Sequence, residues 1–536
     1  TNHPYFPFPL PGRGYFYLIT NNRMIKKLIA CLFLVAPLSG IAQKKDKNVV
    51  KIANTITVED MKKHLYIIAS KEMEGRDTPS PGLEKAANYI EDHFKALGLL
   101  PGNNGSYRQT YPLYKDSMLN ATMKINGNAL QLNTDFQPQA NNYVAEMRFS
   151  EVVFAGYGIS DGDKRDDYKD LKVAGKLVLI ADGTPADYKP AQTGFSSPGS
   201  AFGKMNAALS KGAVAVLMIY SNYPRKTITQ SSNWSVNSYK PTLLPFTFTV
   251  SPAVAEKIMG EDGKDILNKL KSGTAAAKTY KAEIDLGYAK TTKTNSASNV
   301  IAVLEGTDLK DEYVFITAHY DHLGKRDTVI YYGADDDGSG TTGILEIAEA
   351  FVKAKQEGKG PRRTMVFMTV SGEEKGLWGS AYYTDHPIFP LEKTTVDLNI
   401  DMIGRSDSSR KQGDSSNYVY VVGDDKISTD LKIISEGMNK RYTNMELDYK
   451  FNDPNDRNRI YFRSDHYNFA DKGVPIIFYY DGMLKADYHK STDTPDKINY
   501  PLMVKRAQLI FYTAWEMANR NDMLKRDLKL EKPKGF

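Results

Sequence analysis

The sequence predicts an α/β protein: a mixed central sheet flanked by helices in three layers, with a smaller α/β module inserted into it. Three observations lead there. Short, continuously apolar runs alternate with segments of helical spacing, as buried strands alternate with helices. At 536 residues the chain exceeds one ordinary domain. The composition shifts near residue 141 and shifts back near 290, bracketing a stretch with its own strand and helix signals.

Residues 1–23, rich in Pro and aromatics, precede Met24 and read as upstream translation or a cloning remnant. Residues 24–42 read as a signal peptide, with Met24-Ile25-Lys26-Lys27 as the basic region and Leu28 to Leu38 as the apolar core. Gly40 and Ala42 place small residues at the cut before Gln43. The expected destination is periplasmic or extracellular. Leu28-Ile29-Ala30-Cys31 also resembles a lipoprotein box, although most of the apolar core follows it. Cys31 is the single cysteine, so the processed chain would hold no disulfide, thiolate ligand or cysteine nucleophile.

Lys44 to Asn54 reads as a polar linker. Thr57 is a predicted N-cap with Asp60 in the capping-box position, ahead of helix-spaced Met61, Leu65 and Ile68. The loop Glu74 to Gly82 is rich in turn residues, and Leu83 to Leu97 marks a second amphipathic helix stopped by Gly98. Asn126-Gly127-Asn128 predicts a hairpin turn.

A larger domain is thus expected in two parts, 43–140 and 290–525, around an inserted module over 141–289, with a polar tail over 526–536. Inside the module, strands are predicted at Glu151–Ala155, Gly175–Ile180 and Ala213–Ile219, with a helix over 201–211. The Ser/Thr/Lys-rich stretch Thr291 to Ser298 marks the return. Beyond Asn299 strands are predicted at Tyr313–Ala318, Met365–Val370, Val396–Ile400, Tyr418–Val422 and Val474–Tyr480, with helices at Gly343–Ala354, 426–440 and 500–518.

The chemistry collects where these apolar runs end. One ends in His319-Tyr320-Asp321-His322, another in Ser371-Gly372-Glu373-Glu374 and a third in Asp401, while Gly333-Ala334-Asp335-Asp336-Asp337-Gly338 opens a helix. In an open α/β sheet those strand ends face one crevice. Imidazole and carboxylate are suitable zinc ligands, and two metals need a carboxylate to bridge them. With eight histidines in the chain, imidazoles beside acid-rich strand ends stand out. No Gly-x-Ser-x-Gly elbow, His-Glu-x-x-His helix or phosphate-loop lysine offers another mechanism. The net charge is +6, and the N-terminal segment accounts for most of the excess, leaving about +2. That balance makes no case for nucleic acid or a stable membrane partner.

These motifs, in this order, resemble the co-catalytic zinc aminopeptidases, a family that includes bacterial leucyl aminopeptidases and is related to glutamate carboxypeptidase. The middle module resembles their protease-associated insert. The resemblance implies two Zn2+ ions and peptide substrates. His319 and Asp401 would hold one ion, Glu374 and His489 the other, and Asp336 would bridge. Glu373 would be the general base and Asp321 would orient His319. Tyr488 would donate to the oxyanion, and Arg463 would contact polar groups of the substrate or pair with a carboxylate. A non-proline cis peptide after Asp336 is also implied. His322 and His466 are left as supporting or structural residues. Alternatives are a carboxypeptidase, another amidohydrolase of glutaminyl-cyclase type with one working zinc, or a non-catalytic binding protein on the same fold. Side-chain preference and oligomeric state stay open.

Overall fold

Four apolar runs form parallel strands side by side in the order Arg363–Val370, Leu309–His319, Thr394–Ile400 and Ile476–Tyr480. All but the outer ends of these strands are buried on both faces, as the unbroken apolar sequence requires. The sheet is completed antiparallel on one side by Val300–Leu304, the end of the strand Lys278–Leu304, and on the other by Tyr418–Val422. It is therefore a mixed sheet, as predicted. The computed structural model describes residues 45–139, 142–224, 231–238 and 244–531, so the signal-peptide reading and Cys31 lie outside the described residues.

Helices Val58–Ile68, Pro81–Ala96, Gly340–Gln356 and Tyr500–Asn519 pack with the sheet around one core that includes Leu65, Phe94, Phe351, Phe367 and Phe511. Trp378–Asp385 and His466–Asp471 contribute Tyr383 and Phe469 to a second core around Phe315 on the same sheet. Thr57 caps its helix by accepting from the Asp60 N–H at 3.1 Å, as its sequence predicts.

The stretch Lys44 to Asn54 is not a plain linker. Lys47–Ala53 is a helix whose Asp46 side chain accepts from Asn48 and Val49 N–H, and Val49, Ile52 and Ala53 are buried. One buried face among lysines is too short a pattern to declare itself in the sequence. The Thr291 to Ser298 stretch is a strand as well, part of Lys278–Leu304. It pairs antiparallel with Arg108–Ile125 from Ile284 to Val300. The two-strand ribbon runs from the main core, which takes Leu113 and Ala297, to a separate core that takes Ala121, Met123, Ile284 and Leu286. Its polar composition reflects the exposed crossing between them. At the far end Asn126 and Gly127 both adopt positive φ, as a two-residue hairpin turn demands.

Beyond the ribbon, Ala145–Phe154, Leu177–Ala181, Ala215–Ile219 and Phe246–Val250 lie parallel in that order, and Phe136–Pro138 closes the edge antiparallel. The module's core thus draws on residues ahead of position 141, including Phe136.

Candidate metal centre

The parallel strands deliver their carboxyl ends to one place. His319 is the last residue of Leu309–His319, Asp401 follows Thr394–Ile400 directly, and Glu373 starts a short 3-10 turn just past Arg363–Val370. His319 Nε2 stands 3.3 Å from Asp336 Oδ1, 3.6 Å from Asp401 Oδ1 and 3.9 Å from Glu373 Oε2. His489 Nε2, reached across a loop after Ile476–Tyr480, stands 3.1 Å from Asp336 Oδ2 and 3.0 Å from Glu374 Oε2. The two oxygens of Asp336 thus face different imidazoles. The six residues His319, Asp336, Glu373, Glu374, Asp401 and His489 converge.

Why Asp336, of three consecutive aspartates, points inward follows from its neighbours. Asp335 Oδ1 accepts from the Gly404 N–H at 2.8 Å. Asp337 Oδ1 accepts from Gly340 and Met402 N–H at 2.8 and 3.0 Å, tying the loop to the helix start and to the segment after Asp401. The Asp336-Asp337 peptide bond is cis. The Asp493 carboxylate accepts from the backbone N–H groups of both Asp335 and Asp336. Gly333, with φ +56°, has no room for a side chain: a Cβ there would come within 2.5 Å of His322 Cγ.

The loop is held from behind by Arg76, fully buried, which donates to the carbonyls of Ile68, Tyr320, Tyr332 and Gly333 at 2.7 to 2.9 Å. Burial lowers its proton affinity to about 10, while Asp321 and Asp493 pull it up. The Glu-Gly-Arg loop therefore serves the site through backbone acceptors distant in sequence.

Asp321 meets His319 through its main chain. Its backbone carbonyl lies 3.1 Å from His319 Nδ1, whereas its nearer carboxylate oxygen lies at 3.7 Å. The carboxylate instead accepts from the Glu373 N–H at 3.2 Å and from Thr78 Oγ1 at 3.1 Å, so Asp321 positions the turn carrying Glu373.

His322, left as a supporting residue in sequence, is fully buried, with Nδ1 2.8 Å from Glu374 Oε1. His466 is structural: Nε2 meets the Tyr461 carbonyl at 2.8 Å and the ring stacks on Phe478. Tyr488 stacks on His489, with centroids 3.8 Å apart, and its hydroxyl oxygen accepts from an Arg463 N–H at 2.8 Å. Among the described residues Arg463 forms no ion pair.

Electrostatically the cluster attracts positive charge. Burial would discharge His319, but Glu373 and Asp401, with Asp321 and Asp336, hold its proton affinity well above the ordinary value. His489 is raised to about 10 against the effect of burial by Asp336 and Glu374. Burial would push Asp336 up, yet the imidazoles hold it well below the usual carboxylate range. Glu373 goes the other way: burial, with Asp401 and Glu374 close by, raises it well above the ordinary range despite His319.

The donors fit zinc. Among the described residues two groups bring three ligating atoms together, His319–Asp336–Asp401 and His322–Asp336–Glu374, and Asp336 is common to both. His319 Nε2, Asp336 Oδ2 and Glu374 Oε1 are buried without a hydrogen-bond partner, which a buried polar atom rarely is. Nitrogen and carboxylate oxygen suit zinc, though they discriminate weakly among related divalent metals. His489 and His322 both face the second group; the resemblance implied His489 as the ligand and left His322 as a supporting or structural residue.

Residues 299–514 match the profile of peptidase family M28. Aminopeptidase YwaD of Bacillus subtilis is 27% identical over 301 residues, covering 54% of this chain and 53% of that protein. A vacuolar membrane protease of Saccharomyces cerevisiae is 29% identical over 160 residues, 30% of this chain and 15% of that protein. The chain spans about half, or less, of the length of these curated relatives. A solved aminopeptidase from Aneurinibacillus sp. strain AM-1 superimposes with a TM-score of 0.51 at 19% identity, over 91% of this chain and 100% of that one. That likeness is one of fold.

Proposed function

From the match of residues 299–514 to peptidase family M28, we propose that the chain is a zinc-dependent exopeptidase, an aminopeptidase that removes N-terminal residues from peptides. The observation that carries this reading is Asp336, whose two carboxylate oxygens address separate imidazoles 3.3 and 3.1 Å away. His319 and Asp401 would hold one zinc ion, Glu374 and His489 the other, with His322 supporting Glu374 from behind.

Bound there, the pair of ions supplies Lewis acidity toward water and the peptide carbonyl. Glu373 lies at the edge of the cluster and lines a cleft with Asp336, Asp401, Arg463 and Tyr488. That place suits a base that takes a proton from the attacking water and returns it to the leaving amine. Because Tyr488 accepts from Arg463, its own O–H is left to donate to the carbonyl oxygen as negative charge develops.

Two measurements test the reading. Metal analysis of the purified chain is expected to find two zinc ions, and one ion would favour a one-metal amidohydrolase. Glu373→Gln is expected to keep its metal and lose roughly 10²- to 10⁴-fold in hydrolysis of an aminoacyl arylamide. Near wild-type turnover would remove Glu373 as the base.

Export after removal of residues 24–42 is part of the proposal. Among the described residues no helix is long and apolar enough to cross a membrane. For the inserted module we propose a limit on substrate length, supported by Trp234 and Val236, which pack against the main core. The module is best excised across the ribbon at Ser117 and Thr291, which pair directly. Unchanged rates on long and short peptides after that excision would defeat the role.

A further inference from the structure

The cleft beside the metal centre holds three carboxylates, Asp336, Glu373 and Asp401, and one basic side chain, Arg463. A cation among carboxylates ordinarily pairs with one of them. Arg463 does not: among the described residues it forms no ion pair, and its one hydrogen bond goes to the neutral oxygen of Tyr488.

Its placement is nevertheless fixed. The chain enters through a short 3-10 turn with Ile460, Tyr461 and Phe462 buried. It leaves through Ser464, which accepts from Asn399 Nδ2 at 2.9 Å, and Asp465, which accepts from Ser380 Oγ at 2.5 Å. Both are fully buried. Between these anchors only the Arg463 side chain reaches the exposed mouth of the cleft. A guanidinium offers five N–H donors in a planar fork. One meets Tyr488, and the rest have no protein acceptor among the described residues, leaving a fork able to take a carboxylate by two bonds.

We propose that Arg463 selects substrates that carry a carboxylate next to the scissile bond. This rests on the exopeptidase reading, in which Tyr488 addresses the carbonyl under attack. Since Arg463 touches Tyr488, a carboxylate bound to its free edge lies within about one residue of that carbonyl, a reach of roughly 3.8 Å between neighbouring Cα atoms. Two sources supply such a group: the C-terminus of a dipeptide, and an acidic side chain on the first residue. Ile460, Phe478 and Leu484 form apolar walls of the same cleft, so the carboxylate finds its polar partner at Arg463.

The test uses matched pairs on zinc-loaded wild type, Arg463→Gln and Arg463→Lys. Leu-Gly against Leu-Gly-amide reads a C-terminal carboxylate; a glutamyl against a glutaminyl arylamide reads an acidic side chain. In one pair the wild type is expected to favour the acid by about ten-fold or more in kcat/KM, the scale of a charge-assisted hydrogen-bond pair. Arg463→Gln should erase that ratio and Arg463→Lys restore part of it, whereas Tyr488→Phe should slow both members together. A ratio near one in both pairs, or one that survives in Arg463→Gln, overturns the proposal. If no substrate is cleaved at all, the exopeptidase reading falls by itself. Calorimetry with a reduced-bond Leu-Gly acid and its amide then decides the arginine: tighter binding of the acid lost in Arg463→Gln supports it, and equal binding refutes it.

Discussion

The chain contains two α/β units that treat the same architectural place in opposite ways. In both, parallel strands end together, at the position where open α/β sheets take ligands. In the larger unit the strand ends carry His319, Asp401 and, one turn on, Glu373. In the inserted module Leu177–Ala181 ends under the buried Lys204, whose Nζ donates to the carbonyls of Ala181 and Gly183 at 2.7 and 2.5 Å. The module satisfies its strand ends with its own lysine. The larger unit leaves buried ligand atoms without a hydrogen bond, facing one another at ion-pair distance: His319 Nε2, Asp336 Oδ2 and Glu374 Oε1. Sharing a topology is therefore not what makes a site; unsatisfied donor atoms of one chemical kind in one place do.

The strongest way to break this comparison is to remove a group from each place. Asp336→Asn is expected to cost roughly 10³-fold or more in turnover, on the scale seen when a group of a catalytic unit is lost. Lys204→Met, buried at the corresponding place, should leave turnover of a short substrate unchanged. Equal losses in steady-state assays would dissolve the distinction.

Next in size is the scaffold behind the centre. Arg76→Met strips four backbone carbonyls of their donor inside the core. At about 1 kcal/mol or more for each unsatisfied group, a loss near 4 kcal/mol is expected, read as a lowered urea midpoint. Unchanged stability would show that the loop stands without Arg76.

A smaller effect sharpens the roles of the two imidazoles near Glu374. Removing a residue that orients a ligand costs roughly 10- to 100-fold in metal affinity. His322→Ala should weaken the second ion by that amount, while His489→Ala should abolish it in a chelator titration. The reverse order would make His322 the ligand and His489 its support.

These residues also show what the sequence disclosed. Tyr418–Val422 is a strand over the predicted bounds because a continuous apolar run buried on both faces has few other uses. His319 and Asp401 were legible because they terminate such runs. Which acid of Asp335-Asp336-Asp337 turns inward was not readable from composition, since it depends on Asp493, Gly404 and Met402 holding the loop. The same limit applies to Arg76, whose acceptors are spread from Ile68 to Gly333, and to Asp321, which acts on His319 through its carbonyl. Contacts between distant parts of the chain leave no local pattern.

The finest contrast between the two units lies in their response to pH. Burial lowers the Lys204 ammonium to about 8, against the upward pull of Asp182 and Asp167. An unfolded lysine keeps its proton to about 10.4. Between these values the unfolded chain holds more protons than the folded one, so stability rises with pH across that window and is flat, for this group, below it. From pH 8 to 9.5 the gain is about 1–2 kcal/mol, because a full proton difference contributes roughly 1.4 kcal/mol for each step of one in pH. Urea unfolding of the wild type and Lys204→Met measures it as the slope of their difference, which cancels other groups titrating in the same range. Parallel curves would mean that the two carbonyls hold the ammonium as firmly as water does, and the module's strand ends would then carry a charge at no cost.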